Sequence, residues 1–262
     1  MTSKRYLGIL ADLDGTINRG DMLIPGAREI YDELSSRGVR WMFLSNNATR
    51  TAALLARRIE SLGLDVTADQ VVNSASALIR CLSRERPEAR VYVVGEPPLI
   101  EAIKDAGITV VDDSRDVDIV VAAMDREFGY AKLANAQGAI CSGAAFWATN
   151  LDPSVPVENG IRPGAGAIIA AIATAAEHPP DRVFGKPSPD LAFIALEQMG
   201  LSADVCLVVG DRMTTDVLCA RNAGIDSALV LTGAISREDL PRFSYAPDYI
   251  FDSIADIRVL FE

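Results

Sequence analysis

The chain has 262 residues, 49% hydrophobic and 23% charged, with a formal net charge of -11. That is the make-up of an ordinary globular protein, long enough to bury a large core as one domain or two. The acidic balance argues against nucleic acid and anionic membranes as partners, so an anionic substrate must be held by local donors and a metal.

The apolar run Tyr6 to Leu10 reads as a buried parallel strand that turns at Gly15. A polar excursion from Ile17 to Ile24 follows, and Pro25-Gly26 opens an amphipathic helix to about Arg37. Val39 to Leu44 is the second buried strand, ending in Ser45-Asn46-Asn47, and helices run from about Thr51 to Leu62 and from Ser74 to Arg84. After the polar stretch Arg84 to Glu88 a second α/β series begins. It has strands at Val91–Gly95, Ile108–Val111, Asp118–Met124 and Ala145–Thr149, with helices at Pro97–Ala106 and Tyr130–Ile140. Val155 to Gly166 reads as a long loop before an Ala-rich helix to Glu177. The third series returns to the first pattern. Arg182 to Pro187 is a short strand carrying Lys186, Pro189 to Met199 a helix, and Val205 to Asp211 a buried strand. Thr215–Ala223 is a helix, Ser227–Leu231 and Tyr249–Phe251 are strands, and an amphipathic helix from Ser253 to Phe261 closes the chain. Strands alternating with helices predict an α/β fold with parallel sheets.

Other signals are negative. Met1 to Arg5 carry no apolar leader core and no run reaches membrane-spanning length, so a cytoplasmic protein is expected. Cys81, Cys141, Cys206 and Cys219 form no CxxC pair and fit reduced thiols rather than disulfides or zinc. His178, the one histidine, falls in a proline-rich loop, which excludes His-rich metal sites and disfavours His-dependent triads. Pro163 to Gly166 lacks the lysine of a P-loop and reads as a turn before a helix.

Asp12 and Asp14 lie two residues apart at the end of the first strand, and carboxylates held that close repel unless a proton or a cation intervenes. Hard oxygens suit Mg²⁺, and Gly15 and Thr16 offer backbone N–H groups as a small nest for an anionic oxygen. The pattern therefore fits a metal-assisted phosphoryl site with one Asp as nucleophile, and equally a plain turn in which Asp14-Gly15 ends a strand. Ser45/Asn46, Lys186 and Asp211 stand at three further strand ends, where ligands sit in open parallel sheets. One shared site accounts for all four better than four unrelated turns.

DLDGT at Asp12 to Thr16, LSNN at Leu44 to Asn47, GKPSP at Gly185 to Pro189 and GDRMTTD at Gly210 to Asp216 resemble, in order, the four motifs of the haloacid dehalogenase-like hydrolases. ATNLD at Ala148 to Asp152, followed by PGAGAI, resembles the NagD-type sugar-phosphatase branch with its large α/β cap. The resemblance runs from Leu10 nearly to the end of the chain. It implies a Rossmann-like parallel-sheet core, residues 1–82 and 182–262, with an inserted α/β cap domain at 83–181. It implies Asp12 as nucleophile through an aspartyl-phosphate, Asp14 as general acid and base, and Lys186 as a catalytic group. Gly15, Thr16, Ser45, Asn46, Asn47 and Lys186 would bind the substrate's phosphoryl oxygens. Mg²⁺ would be held by Asp12, the Asp14 backbone carbonyl and Asp211, with Asp216 in support of the metal or of Lys186. The implied substrate is a small phosphomonoester, with the cap choosing among leaving groups and possible self-association through the cap. A metal-independent dehalogenase would lack Asp14, and a P-type ATPase would carry Thr there and membrane spans. A phosphomutase usually has a smaller helical cap, and a catalytically idle binding or regulatory protein would not need every chemical position intact.

Overall fold

The computed structural model describes residues 6–157 and 160–262; Met1 to Arg5, read above for a leader, lie outside them. The chain begins with β1 (Gly8–Asp12), the short β2 (Asn18–Arg19) and β3 (Met22–Leu23), α1 (Ala27–Ser36), β4 (Arg40–Ser45), α2 (Ala52–Ser61), β5 (Val71–Asn73) and α3 (Ser74–Glu85). Next come β6 (Arg90–Val94), α4 (Pro97–Asp105), β7 (Thr109–Val111), β8 (Ile119–Ala122), α5 (Tyr130–Cys141), β9 (Ala145–Ala148), β10 (Ser154–Val157) and β11 (Gly160–Pro163). The chain finishes with α6 (Ala165–Ala176), β12 (Arg182–Val183), α7 (Asp190–Met199), β13 (Cys206–Gly210), α8 (Leu218–Ala223), β14 (Asp226–Val230) and β15 (Tyr249–Phe251).

These elements form two compact units. The first holds residues up to Ser45, Ala52–Val72 and Lys186–Glu262; the second holds Asn46–Thr51 and Asn73–Gly185. The first unit is built on a six-stranded sheet in the order β15-β14-β13-β1-β4-β5. Its pairings from β15 through β4 are parallel, with Leu10 opposite Val208 on one side and Met42 on the other. Gly8, Ile9, Leu10 and Ala11 are all buried, because helices cover both faces of a parallel sheet. On one face α1 presents Ala27, Ile30, Tyr31 and Leu34, the one-face spacing of an amphipathic helix, to a core with Ile9, Phe43 and Val209. Burying a side chain such as the fully enclosed Phe43 contributes about 2–3 kcal/mol. From β1 the chain builds outward to β4 and β5, then returns on the other side as β13, β14 and β15. That makes the β1/β13 boundary the sheet's switch point, where side chains beyond the carboxyl ends share a crevice.

The second unit has its own five-stranded parallel sheet, β12-β9-β8-β6-β7, over a core with Val94, Val120, Phe146, Ile169 and Ile172. Asn73 caps α3, accepting from Ser76 N–H at 2.9 Å. Four sequence expectations need correcting. Arg182–Val183 is a two-residue strand that pairs with β9 in the second sheet, so Lys186 follows a loop and does not end a strand of the first. The excursion Ile17 to Ile24 contains the antiparallel hairpin β2–β3, and the loop Val155 to Gly166 the hairpin β10–β11, both too short to show periodicity. The helix expected over Ser253–Phe261 is a 3₁₀ segment, Ile254–Leu260. β5 was not anticipated.

All four cysteines are free thiols, three of them buried and Cys141 exposed, and His178 lies on the surface. Among the described residues no helix is long and apolar enough to cross a membrane.

Candidate active site

Beyond the carboxyl ends of β1, β4 and β13, the first unit gathers an unusual density of buried charge. Asp12 is the last residue of β1, and Asp211 directly follows β13. Asp216 sits in a single π-helical turn, Met213–Val217, that leads into α8. Lys186 is 3% exposed, and its ammonium donates to Asp12 Oδ1 at 2.5 Å, Asp216 Oδ1 at 2.7 Å and the Leu44 carbonyl at 3.2 Å. One cation thus ties together the first, third and fourth sequence motifs and the end of β4.

The electrostatics follow from that packing. Burial pushes the Asp12 carboxyl well above the usual range; Lys186 opposes this, while Asp216 and Asp211 add to it. Asp211 is pushed up to about 6, by burial first and the charge of Asp216 second. Burial works against the charge on Lys186, but Asp12 and Asp216 outweigh it and hold the amine protonated above its ordinary range. One ammonium therefore pairs with two of the three carboxylates, Asp12 and Asp216.

The carboxylates are arranged so that they could hold a cation. Carboxylate oxygens of Asp12, Asp211 and Asp216 lie within 4.8 Å of one another. Asp211 Oδ2 accepts from Ala234 N–H at 2.7 Å, but Oδ1 is buried without a partner. An orphaned buried carboxylate oxygen is costly, and an all-oxygen acidic set suits a hard divalent ion. The residues fit Mg²⁺.

Gly15 takes φ +96°, and a Cβ there would run into the Asp211 carboxylate, so glycine is required on both counts. The expected nest is not formed. Gly15 N–H donates to the Asn18 carbonyl at 2.7 Å and Thr16 N–H to Leu13 at 3.2 Å, so the turn consumes both donors. Thr16 is fully buried, and its hydroxyl has no hydrogen-bond partner. Ser45 is buried at the end of β4, within the first unit. Asn46 and Asn47 belong to the second unit. There Asn46 donates to Asp152 Oδ2 at 3.1 Å, and its carbonyl accepts from Asn150 and Ser74, both at 2.9 Å. Asn47 Oδ1 accepts from Thr49 N–H at 2.8 Å, a local turn contact. Asn150 and Asp152 of the ATNLD segment thus hold the second motif's backbone in place within that unit.

Asp14, whose side chain is 56% exposed, stands apart from the buried cluster. Asn18 donates to its Oδ1 at 2.9 Å, and Arg58 Nη2 lies 3.7 Å from the same oxygen. Sequence reading passed over both residues. Asn18 sits in a hairpin without periodicity, and Arg58 looks like any charge on the polar face of α2.

A parallel α/β sheet with this carboxylate–lysine cluster at its switch point defines a hydrolase class, and the comparisons agree on it. A family model described as haloacid dehalogenase-like hydrolase matches residues 9–109, and a HAD-hydrolase-like model matches 183–257. The chain is 36% identical over 251 residues to an acid sugar phosphatase of Staphylococcus haemolyticus, spanning 96% of this chain and 95% of that protein. A p-nitrophenyl phosphatase from Archaeoglobus fulgidus superposes with a TM-score of 0.91 at 35% identity, over 97% of this chain and 98% of that one. NagD from E. coli K-12 gives 0.89 at 30% identity, with the same coverage. The chain belongs to the haloacid dehalogenase-like hydrolases. Within them it falls in the NagD-type branch, and it is a phosphoric monoester hydrolase.

Proposed function

We propose that this enzyme hydrolyses small phosphomonoesters, such as sugar, glycerol or glycolate phosphates or nucleotides, through a phosphorylated Asp12. The observation that carries the reading is Lys186, buried between Asp12 and Asp216 beside an Asp211 oxygen without a partner. The ammonium opposes the protonation of Asp12 that burial favours and orients the oxygen that must meet phosphorus. In the first step an Asp12 oxygen bonds to phosphorus, and the ester P–O bond breaks with its electron pair on the leaving oxygen. Asp14 gives that oxygen a proton. In the second step Asp14, now a carboxylate, takes a proton from the water that attacks phosphorus, and inorganic phosphate leaves Asp12. Ser45 and Lys186 are assigned to the phosphoryl oxygens. Asp12, Asp211 and the Asp14 carbonyl are assigned to Mg²⁺, with Asp216 holding Lys186 in line. When bound, the cation offsets the negative charge gathered by the carboxylates and the phosphoryl group.

The motifs of the first unit read only the phosphoryl group. We therefore assign choice among leaving groups to the inserted second unit, the cap of the sequence-based expectation. A relative named acid sugar phosphatase and another named p-nitrophenyl phosphatase support the breadth of this reading. Self-association through the cap belongs to the same proposal and is read by light scattering on the purified protein. The central test is turnover of p-nitrophenyl phosphate. Asp12→Asn is expected to lower kcat by at least about 10³-fold, and EDTA to abolish activity until Mg²⁺ is restored. Turnover that survives either treatment overturns the mechanism.

A further inference from the structure

The hairpin β2–β3 is joined to the general-acid position by two side chains from different parts of the chain. Asn18 Nδ2, on β2, donates to Asp14 Oδ1 at 2.9 Å and to the Gly20 carbonyl at 3.0 Å. Arg58 Nη2, on α2, donates to the same Gly20 carbonyl at 2.9 Å and lies 3.7 Å from the same Asp14 Oδ1. One carboxylate oxygen and one carbonyl are thus each approached by the same two residues. Asn18 is 2% exposed and cannot swing away, whereas Arg58 keeps 26% of its side chain in solvent and also lies 3.8 Å from Asp21 Oδ1. Gly20, at φ +58°, makes the tight turn that brings its carbonyl back to both donors.

Stability alone does not account for the arrangement. A half-exposed pair at 3.7 Å is worth little, at most about 1 kcal/mol. Its geometric effect is larger. With Oδ1 bonded by Asn18 and faced by the Arg58 guanidinium, the Asp14 carboxyl is biased toward one rotation, which leaves Oδ2 clear of both residues. We propose that Arg58 is a positioning residue which, with Asn18, locks Asp14 and the hairpin so that Oδ2 delivers the proton to the leaving oxygen. The proposal rests on the general-acid reading of Asp14. In that step the ester P–O bond breaks, its electron pair stays on the leaving oxygen, and the Asp14 proton moves to it.

A general acid matters most when the leaving oxygen is basic. The test therefore compares kcat/KM for phenyl phosphate with that for p-nitrophenyl phosphate, two esters of nearly the same shape. Arg58→Met is expected to lower the phenyl value about tenfold and the p-nitrophenyl value less than about threefold, with little change in Tm. Arg58→Lys, which keeps the charge and a donor, is expected to recover most of the phenyl value. In an Asp14→Asn background, Arg58→Met is expected to add no further loss, because the group it positions is gone. Equal losses on both esters, no loss on either, or full additivity with Asp14→Asn overturns the role of Arg58. If Asp14→Asn itself shows no dependence on the leaving group, the general-acid reading fails, and the inference falls with it. A loss confined to KM and shared by both esters marks Arg58 as a substrate anchor and also overturns the proposal.

Discussion

Each unit of this protein is built on a parallel sheet with a switch point, and the two switch points are finished in opposite ways. In the second sheet the boundary lies between β6 and β8. Just beyond those strands, Glu96 and Arg126 pair through two contacts, at 2.6 and 3.0 Å. Asp125, with 1% of its side chain exposed, receives Lys132 Nζ at 2.6 Å and Glu127 N–H at 2.9 Å on separate oxygens. Each carboxylate there has its own cation. At the end of the first sheet Asp12 and Asp216 share Lys186, and Asp211 Oδ1 is buried without a partner. Nearly the same topology therefore yields a settled scaffold in one unit and a charge deficit in the other. We take the deficit as the site of the proposed chemistry, because an incoming cation and substrate would complete it.

The contrast is broken most severely by removing the shared ammonium. Lys186→Met is expected to lower kcat for p-nitrophenyl phosphate by about 10²-fold or more, since it strips a fixed positive charge from the reacting group. Steady-state kinetics at saturating Mg²⁺ measures it, and a loss below threefold would reduce Lys186 to a structural group. The matching change in the second unit is Lys132→Met. It leaves the enclosed Asp125 charge without its cation and is expected to cost about 2 kcal/mol of stability by urea unfolding. Turnover is expected to stay within about twofold of the parent protein, as befits a scaffold charge.

The smallest effect sharpens the comparison through pH. Asp211 titrates at about 6 in the folded protein, above its ordinary value, so the folded state holds this proton more firmly than the unfolded chain does. The stability this group contributes is complete below about pH 4 and lost as the pH rises through about 6. Asp211→Asn removes that loss. The metal-free variant is expected to melt about 3 °C higher than the parent at pH 7.5, to show a much smaller advantage at pH 4.5, and to be inactive at both. Thermal melts in EDTA at the two pH values check it. An advantage of the same size at both would mean that burial of the Asp211 charge is not its origin.

Much of this was legible in the chain. Long apolar runs such as Val205 to Val209 and Val39 to Leu44 announce buried strands, and the polar residues that end them give away the site. Asp12, Asp211 and Asp216 come together as the motifs imply, because the sheet's order brings β1 beside β13. What stayed hidden depends on partners that no local pattern reveals. Two-residue strands such as β2 and β12 have no period to detect. Gly15 and Thr16 looked like free donors because the carbonyls of Asn18 and Leu13 that occupy them are placed by the turn's fold. Arg58 makes its contacts with Asp14 and Gly20 only once α2 is packed where its guanidinium reaches them.

The pairing of β1 with β13 also carries a consequence for biosynthesis. The strand bearing Asp12 is made well before its neighbour on one side, Cys206–Gly210, which follows the whole second unit along the chain. Such distant pairing is slow to form and leaves an apolar strand edge open in the meantime. Lys186, Asp211 and Asp216 arrive with the same later segment, so the buried charge cluster around Asp12 cannot assemble until that segment is made.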